Sequence, residues 1–256
     1  MIHVVEHWFE SDTLYAVERG QGRPIVFLHG GLADHRAAVH AVGQLGASFR
    51  LITPDLRGSG RSVDPGPLTW DRLADGVATM LDRLGLERVV IGGTSAGSAV
   101  ALRFALRRPE RCAGLVVVSP LYPGAELGLD EAPRLAMERM DAHAQRALHE
   151  GIEALFPLFE PLPEPIRERA LAMVASFDPA SVAATTRLLA SGQQPFASLL
   201  ELQRIEVPTL VVPGVDPQHP AEVASRYAAH LPDCRIGEPA DLVAAIDRFC
   251  SEAARW

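Results

Sequence analysis

Val89-Val90-Ile91-Gly92-Gly93-Thr94-Ser95-Ala96-Gly97-Ser98-Ala99 is the stretch of this chain whose reading decides the fold. An apolar, β-branched run ends in glycines, Ser95 is bracketed by Gly93 and Gly97 in a G-x-S-x-G pattern, and a helical pattern over 99–106 follows and stops near Pro109. A serine on so sharp a strand-to-helix turn sits in strained backbone, so the residues two before and two after it must be small. The same turn puts the hydroxyl at a helix N-terminus, where outward-pointing amides favour developing negative charge. A Gly/Ser-rich turn that merely packs helix on strand would use the same residues. The flanking strand and helix favour a nucleophile elbow.

Outward from that turn, strand-like runs lie at 2–9, 13–18, 25–28, 49–53, 89–92, 115–118 and 210–212, with a weaker one around Arg235. The later runs are unbroken apolar stretches suited to parallel strands covered on both faces, and the first two, with more polar alternation, suit an exposed antiparallel edge. Helical patterns lie between them at 70–84, with Thr69 as N-cap and Gly85 as stop, and at 221–230, ending near Pro232. Strand and helix alternate, which predicts a doubly wound, mostly parallel α/β sheet. Between Leu121 and Arg204 the alternation stops. Only helical patterns remain there, broken by the proline-rich segment 156–165, so residues 121–204 are expected to form an inserted helical cap on a core of 1–120 and 205–256.

With 256 residues the chain accommodates one large α/β domain rather than two independent ones. Its 24 Lys+Arg against 32 Asp+Glu give a net charge of −8, and no basic stripe is present to neutralise a phosphate backbone, so nucleic acid is a poor partner. The start, MIHVVEHWFESD, lacks a basic end followed by an apolar run, and no stretch approaches the roughly 20 apolar residues of a membrane span. A cytoplasmic protein is expected. Cys112, Cys234 and Cys250 are widely spaced with no metal-ligand or disulfide pattern, and are read as buried thiols. No metal site and no cofactor are expected; the glycines at His29-Gly30-Gly31 do not form a dinucleotide fingerprint.

His29-Gly30-Gly31 follows the strand 25–28, at the carboxyl edge where open α/β sheets bind ligands. The Gly31 and Ala96 amides are the candidate oxyanion hole. His29 is expected to brace the loop through a hydrogen bond rather than to move protons. Asp216 follows the strand 210–212 in a G-x-D-x-x-x-P arrangement; it reads either as an acid partner for the serine or as an Asx-type turn capping the helix after Pro220.

Together these segments resemble the α/β-hydrolase fold superfamily, in its capped esterase, lactonase and peptidase branch. The resemblance is carried by Leu28-His29-Gly30-Gly31 with Asp34, by Pro54-Asp55-Leu56-Arg57-Gly58-Ser59-Gly60-Arg61-Ser62, by the elbow, and by Pro213-Gly214-Val215-Asp216-Pro217-Gln218-His219-Pro220. It implies Ser95 as nucleophile and Asp216 as triad acid, and treats 55–62 as a structural turn. It also implies a histidine in a loop after the last strand, and here the chain departs from it. No histidine follows His230, and Gly237-Glu238-Pro239 leaves no loop to carry one. A serine hydroxyl without a base is a weak nucleophile.

Three readings stand at this point. His219, three residues beyond Asp216, folds back over the elbow as the base, with His143 and His149 as weaker candidates. Alternatively, oxyanion hole and pocket suffice for a non-hydrolytic reaction such as cyclisation, elimination or decarboxylation. In the third, the pocket only binds a ligand. The expected substrate is a small, largely apolar ester, thioester or lactone under a cap containing Met137, Met140, Leu155, Phe156, Phe159, Met173, Phe177 and Phe196. Most of these are expected to pack the cap helices together.

Overall fold

The computed structural model describes residues 4–9 and 13–252. It forms one eight-stranded sheet of order β1-β2-β4-β3-β5-β6-β7-β8. The strands are β1 (Val4–Phe9), β2 (Leu14–Arg19), β3 (Pro24–Leu28), β4 (Arg50–Pro54), β5 (Val89–Thr94), β6 (Cys112–Val118), β7 (Thr209–Val212) and β8 (Cys234–Ile236). The pairs β1/β2 and β2/β4 are antiparallel and every other pair is parallel. This is the expected doubly wound sheet with an antiparallel N-terminal margin. The expected first strand also included Ile2 and His3, which lie outside the described residues.

The helices are α1 (His35–Val42), α2 (Trp70–Arg83), α3 (Ala96–Arg107), α4 (Glu131–Glu150), α5 (Ile166–Val174), α6 (Pro179–Ala190), α7 (Ala221–His230) and α8 (Leu242–Glu252). Residues of α1 and α8 pack against one face of the sheet through Ala38, Val42, Ile246 and Phe249. The other face meets α2, α3 and α7 through residues such as Leu73, Val77, Val100, Phe104 and Val223. Covering both faces explains the unbroken apolar runs of β5 up to Gly93 and of β6, because neither side of those stretches reaches water. Thr69 caps α2 as expected, its hydroxyl accepting the Arg72 amide at 3.1 Å. No helix among the described residues is long and apolar enough to cross a membrane.

One sequence expectation needs correction. β1 is an exposed edge, but β2 is not: Leu14, Tyr15, Ala16 and Val17 are all buried. β4 pairs along its far side, and the 55–62 turn folds against it, so its alternation in sequence does not mark an open face. The Tyr15 amide donates to the Ser62 hydroxyl at 2.9 Å, and that hydroxyl donates to the Asp55 carbonyl at 2.8 Å. The segment between β6 and β7 packs most of its singled-out apolar residues together, as expected. It contains α4, α5, α6 and short 3₁₀ turns, with a separate cluster of Ala144, Ala147, Leu155, Val174, Phe177 and Val182. Phe156, Phe159, Met140 and Met173 pack against that cluster. Met137 and Phe196 instead join the main core, where Phe196 meets the Tyr227 ring edge-on at 5.8 Å. Residues 124–126 bond to residues of the 194–197 stretch, which draws Phe196 down onto the core.

Ser62 has no solvent exposure, so removing its hydroxyl leaves two buried groups, the Tyr15 amide and the Asp55 carbonyl, short of a partner. Ser62→Ala is expected to lower stability by about 1–3 kcal/mol. A urea unfolding curve with lowered midpoint and unchanged slope checks this.

Candidate active site

Ser95 stands between β5 and α3 with φ 55° and ψ −119°, a left-handed conformation that a side chain rarely adopts. Its amide donates to the Val118 carbonyl at 2.9 Å, and its carbonyl accepts the Ser98 hydroxyl at 2.6 Å. The need for glycine on either side is visible in the contacts. A Cβ on Gly93 would lie 2.5 Å from the Gly97 carbonyl carbon, and one on Gly97 would lie 2.4 Å from the His29 carbonyl oxygen. The elbow expected from the sequence is therefore present, and Ser95 remains half-buried rather than sealed off.

His219 is the imidazole that meets it. Its Nε2 lies 2.9 Å from Ser95 Oγ, and its Nδ1 lies 3.0 Å from both carboxylate oxygens of Asp216. The Nδ1 proton is thus donated to the carboxylate, and the Nε2 lone pair accepts the serine proton. Asp216 also accepts the Gln218 amide at 2.8 Å and the His219 amide at 3.1 Å. One carboxylate thus builds the Asx-type turn and holds the imidazole: the turn that Asp216 builds is what brings the His219 ring back over it. The turn does not cap α7, whose N-cap is Pro220 without a side-chain hydrogen bond. Asp216 has 49% side-chain exposure and His219 only 17%.

The β3 side of the site is held by backbone. His29 is buried, and its Nε2 accepts the Leu56 amide at 3.0 Å. Its Nδ1 then carries the proton and donates to the Gly30 carbonyl at 2.8 Å. Burial, outweighing the nearby carboxylates, holds its pKa below the ordinary histidine value. This is the bracing role expected for His29. Asp34 N-caps α1, accepting the Arg36 amide at 2.8 Å. Asp55 receives the His35 amide and ring nitrogen, each at 2.7 Å, and the Arg61 amide at 2.7 Å. Burial alone would raise the Asp55 pKa, but the hydrogen bonds and charge of His35 bring it below the usual carboxylate value. Asp34, His35 and Asp55 form a close group, and its oxygens are occupied by these protein donors.

Gly30 and Gly31 run beside the elbow. A Cβ on Gly30 would touch the Ser95 Cβ at 3.5 Å, and one on Gly31 would sit 2.9 Å from Leu189 Cδ1 of α6. Ala96 is the first residue of α3, so its amide is among those without an intrahelical acceptor. His143 is elsewhere, with Nδ1 bonded to the Ala154 carbonyl at 2.7 Å. Cys112 and Cys250 are buried with thiol pKa values pushed up to about 12. Cys234, expected to be buried, is only partly so, since β8 is the sheet edge; desolvation pushes it up to about 11. The connection from β8 to α8 is as short as its sequence suggested, with a 3₁₀ turn beginning at Pro239.

Sequence reasoning missed three residues of this neighbourhood. Gly214 lets the loop close: a Cβ there would lie 2.2 Å from the His219 carbonyl oxygen and 2.3 Å from its Cβ. Its place in the Pro213-to-Pro220 motif was the available signal. Leu32 has φ 51° and is buried in the cluster of the 121–204 segment, and Leu189 touches Gly31; both are ordinary leucines in sequence and carry no signal.

A doubly wound sheet with a left-handed serine at the end of its central strand, contacted by an imidazole that is itself bonded to a carboxylate, defines the α/β-hydrolase class of architecture. The family model described as alpha/beta hydrolase fold matches residues 23–159, more than half of the sequence, and the chain belongs to that family. It is 38% identical over 100 residues to the AB hydrolase superfamily protein YisY of Bacillus subtilis, covering 38% of this chain and 37% of that one. It is 31% identical over 133 residues to 2-hydroxy-6-oxo-6-phenylhexa-2,4-dienoate hydrolase of Burkholderia cepacia, covering 49% of this chain and 46% of that one. These matches span less than half the length of either relative. Over nearly the whole chain it is similar to a thermophilic esterase of Thermogutta terrifontis, with TM-score 0.78, 28% identity, and 94% and 93% of the two chains covered.

Two outcomes test the site's construction. Gly214→Ala forces His219 away from Ser95, and is expected to abolish labelling of the chain by a fluorophosphonate probe while the far-ultraviolet circular dichroism stays native. Asp55 has a lowered folded pKa, so its contribution to stability is full above the unfolded carboxylate value and is lost as pH falls through the lowered one. Asp55→Asn is expected to flatten the acid limb of a plot of urea midpoint against pH, below about pH 4.

Proposed function

We propose that the chain is a serine hydrolase acting on a small, largely apolar ester, thioester or lactone, with Ser95 as nucleophile, His219 as base and Asp216 as the acid that orients it. The reading is carried by one observation: His219 Nε2 lies 2.9 Å from Ser95 Oγ while its other ring nitrogen rests on Asp216. It is the first of the three readings left open by the sequence. Asp216, through Nδ1, fixes the tautomer that leaves Nε2 free to take a proton.

In the forward step the Ser95 oxygen attacks the substrate carbonyl carbon as its proton passes to His219 Nε2. The carbonyl π electrons move to oxygen, and that oxyanion is met by the amides of Gly31 and Ala96 and by the N-terminus of α3. The intermediate collapses, expelling the alcohol or thiol, which takes the proton from the imidazolium. Water then attacks the acyl-serine with His219 again as base, releasing the acid and restoring the hydroxyl. Residues 121–204 act as a cap over this centre, and the contact of Leu189 with Gly31 supports that placement. No step calls for a metal or an organic cofactor.

Turnover of p-nitrophenyl butyrate tests the proposal. Ser95→Ala and His219→Ala are each expected to lower kcat/KM by about 10³-fold or more. Asp216→Ala is expected to cost only about 10- to 100-fold, because a half-exposed carboxylate is screened by water. Full activity in His219→Ala would overturn the assignment, and absence of turnover by the parent on a panel of activated esters and lactones would favour a non-hydrolytic enzyme or a ligand-binding relative.

A further inference from the structure

We infer that the cleft between α1 and α5 binds a small amphiphilic carboxylate, at a place separate from Ser95. The cleft measures about 370 Å³ and shares no lining residue with the elbow, the 214–219 loop or Gly31. Its apolar wall is made by side chains such as Ile166, Ala170 and Met173, and its basic groups are Arg36, His40 and Arg169. No carboxylate lines it, in a chain whose net charge is −8. An apolar wall with convergent basic groups selects an anion that carries a hydrocarbon body.

The basic groups differ in what they have to offer. Arg36 is already paired, bonding both oxygens of Asp34, and it reaches across to the Met173 carbonyl at 3.1 Å and the Ser176 hydroxyl at 2.8 Å. It is a tie between α1 and α5. Arg169 has no carboxylate partner among the described residues; its guanidinium donates to His40 Nε2 at 3.4 Å. Among the described residues this is the one hydrogen bond made by the Arg169 side chain, so most of the guanidinium's donors are left for an incoming anion. Ile166, 46% exposed although it is a large apolar side chain, supplies surface for the hydrocarbon to cover. The volume suits a body of about ten to fifteen non-hydrogen atoms, the size of a medium-chain fatty acid.

A bound carboxylate would bridge α1, whose N-cap Asp34 closes the loop bearing Gly30 and Gly31, to α5 of the helical segment. Occupancy would thus tighten the seam between the sheet core and that segment.

Isothermal titration calorimetry with sodium octanoate tests this, with 1-octanol and octylammonium as neutral and cationic probes. Octanoate is expected to bind one-to-one with a Kd below about 1 mM, and the other two at least tenfold more weakly. Arg169→Gln is expected to weaken octanoate about tenfold or more. Ala170→Trp, which fills the cleft, is expected to abolish the signal. Ser95→Ala is expected to leave binding unchanged, so the outcome does not depend on the proposed hydrolysis. Octanoate binding that survives both cleft variants, disappears with Ser95→Ala, or is matched by octanol would overturn the inference, as would no binding up to several millimolar.

Discussion

The backbone of Ser95 is the constraint on which the rest of the site depends. A left-handed serine costs on the order of 1–3 kcal/mol and persists only where its surroundings leave no alternative. Those surroundings are backbone rather than side chain. Gly93 lies against Gly97, and Gly97 lies against the carbonyl oxygens of Leu28 and His29. One set of close contacts therefore fixes both the hydroxyl and the start of the 29–34 loop. The buried His29 ring extends this arrangement to Leu56, and Asp55 extends it to His35 and Arg61. Strain at one residue is held by a frame that reaches three strand ends.

Much of the architecture was legible because it follows from local pattern. Parallel strands buried on both faces read as unbroken apolar runs, and Gly93, Ser95 and Gly97 announce the elbow by sterics alone. The alternation of β2 does not report its exposure, because β4 and the 55–62 turn supply partners for its backbone. His219 could be named from the sequence as the nearest imidazole to Asp216, but nothing in the order of residues says that an Asx-type turn would return its ring to Ser95. Gly214 is legible only once that return is known, since its lack of a Cβ matters solely because the loop doubles back on it. Met137 and Phe196 escape local pattern for a related reason: they lie in the 121–204 stretch in sequence and in the main core in space.

The seam between the sheet core and the helices of 121–204 is built from different kinds of contact. Leu32, left-handed and buried, enters the apolar cluster of α4 and α6, and Leu189 lies against Gly31. Arg36 adds polar bonds to Met173 and Ser176, and Trp70 donates to the Gln193 carbonyl at 3.0 Å. The loop that carries the proposed oxyanion donor is thus clamped from below by the elbow and from above by the helices. Any shift of those helices relative to the sheet would be felt first at Gly31 and Leu32, where backbone and side chain have little slack.

Placing Asp216 and His219 on one short turn after β7 has a consequence for the remainder of the polypeptide. The carboxylate and the imidazole keep their mutual spacing through local bonds, so they travel together if the turn moves, and no distant segment has to deliver one to the other. β8 closes the sheet, and α8 covers one of its faces with Ile246 and Phe249. That end of the molecule is the natural place to attach a reporter or to redesign surface, because alterations there reach the reactive hydroxyl through packing alone.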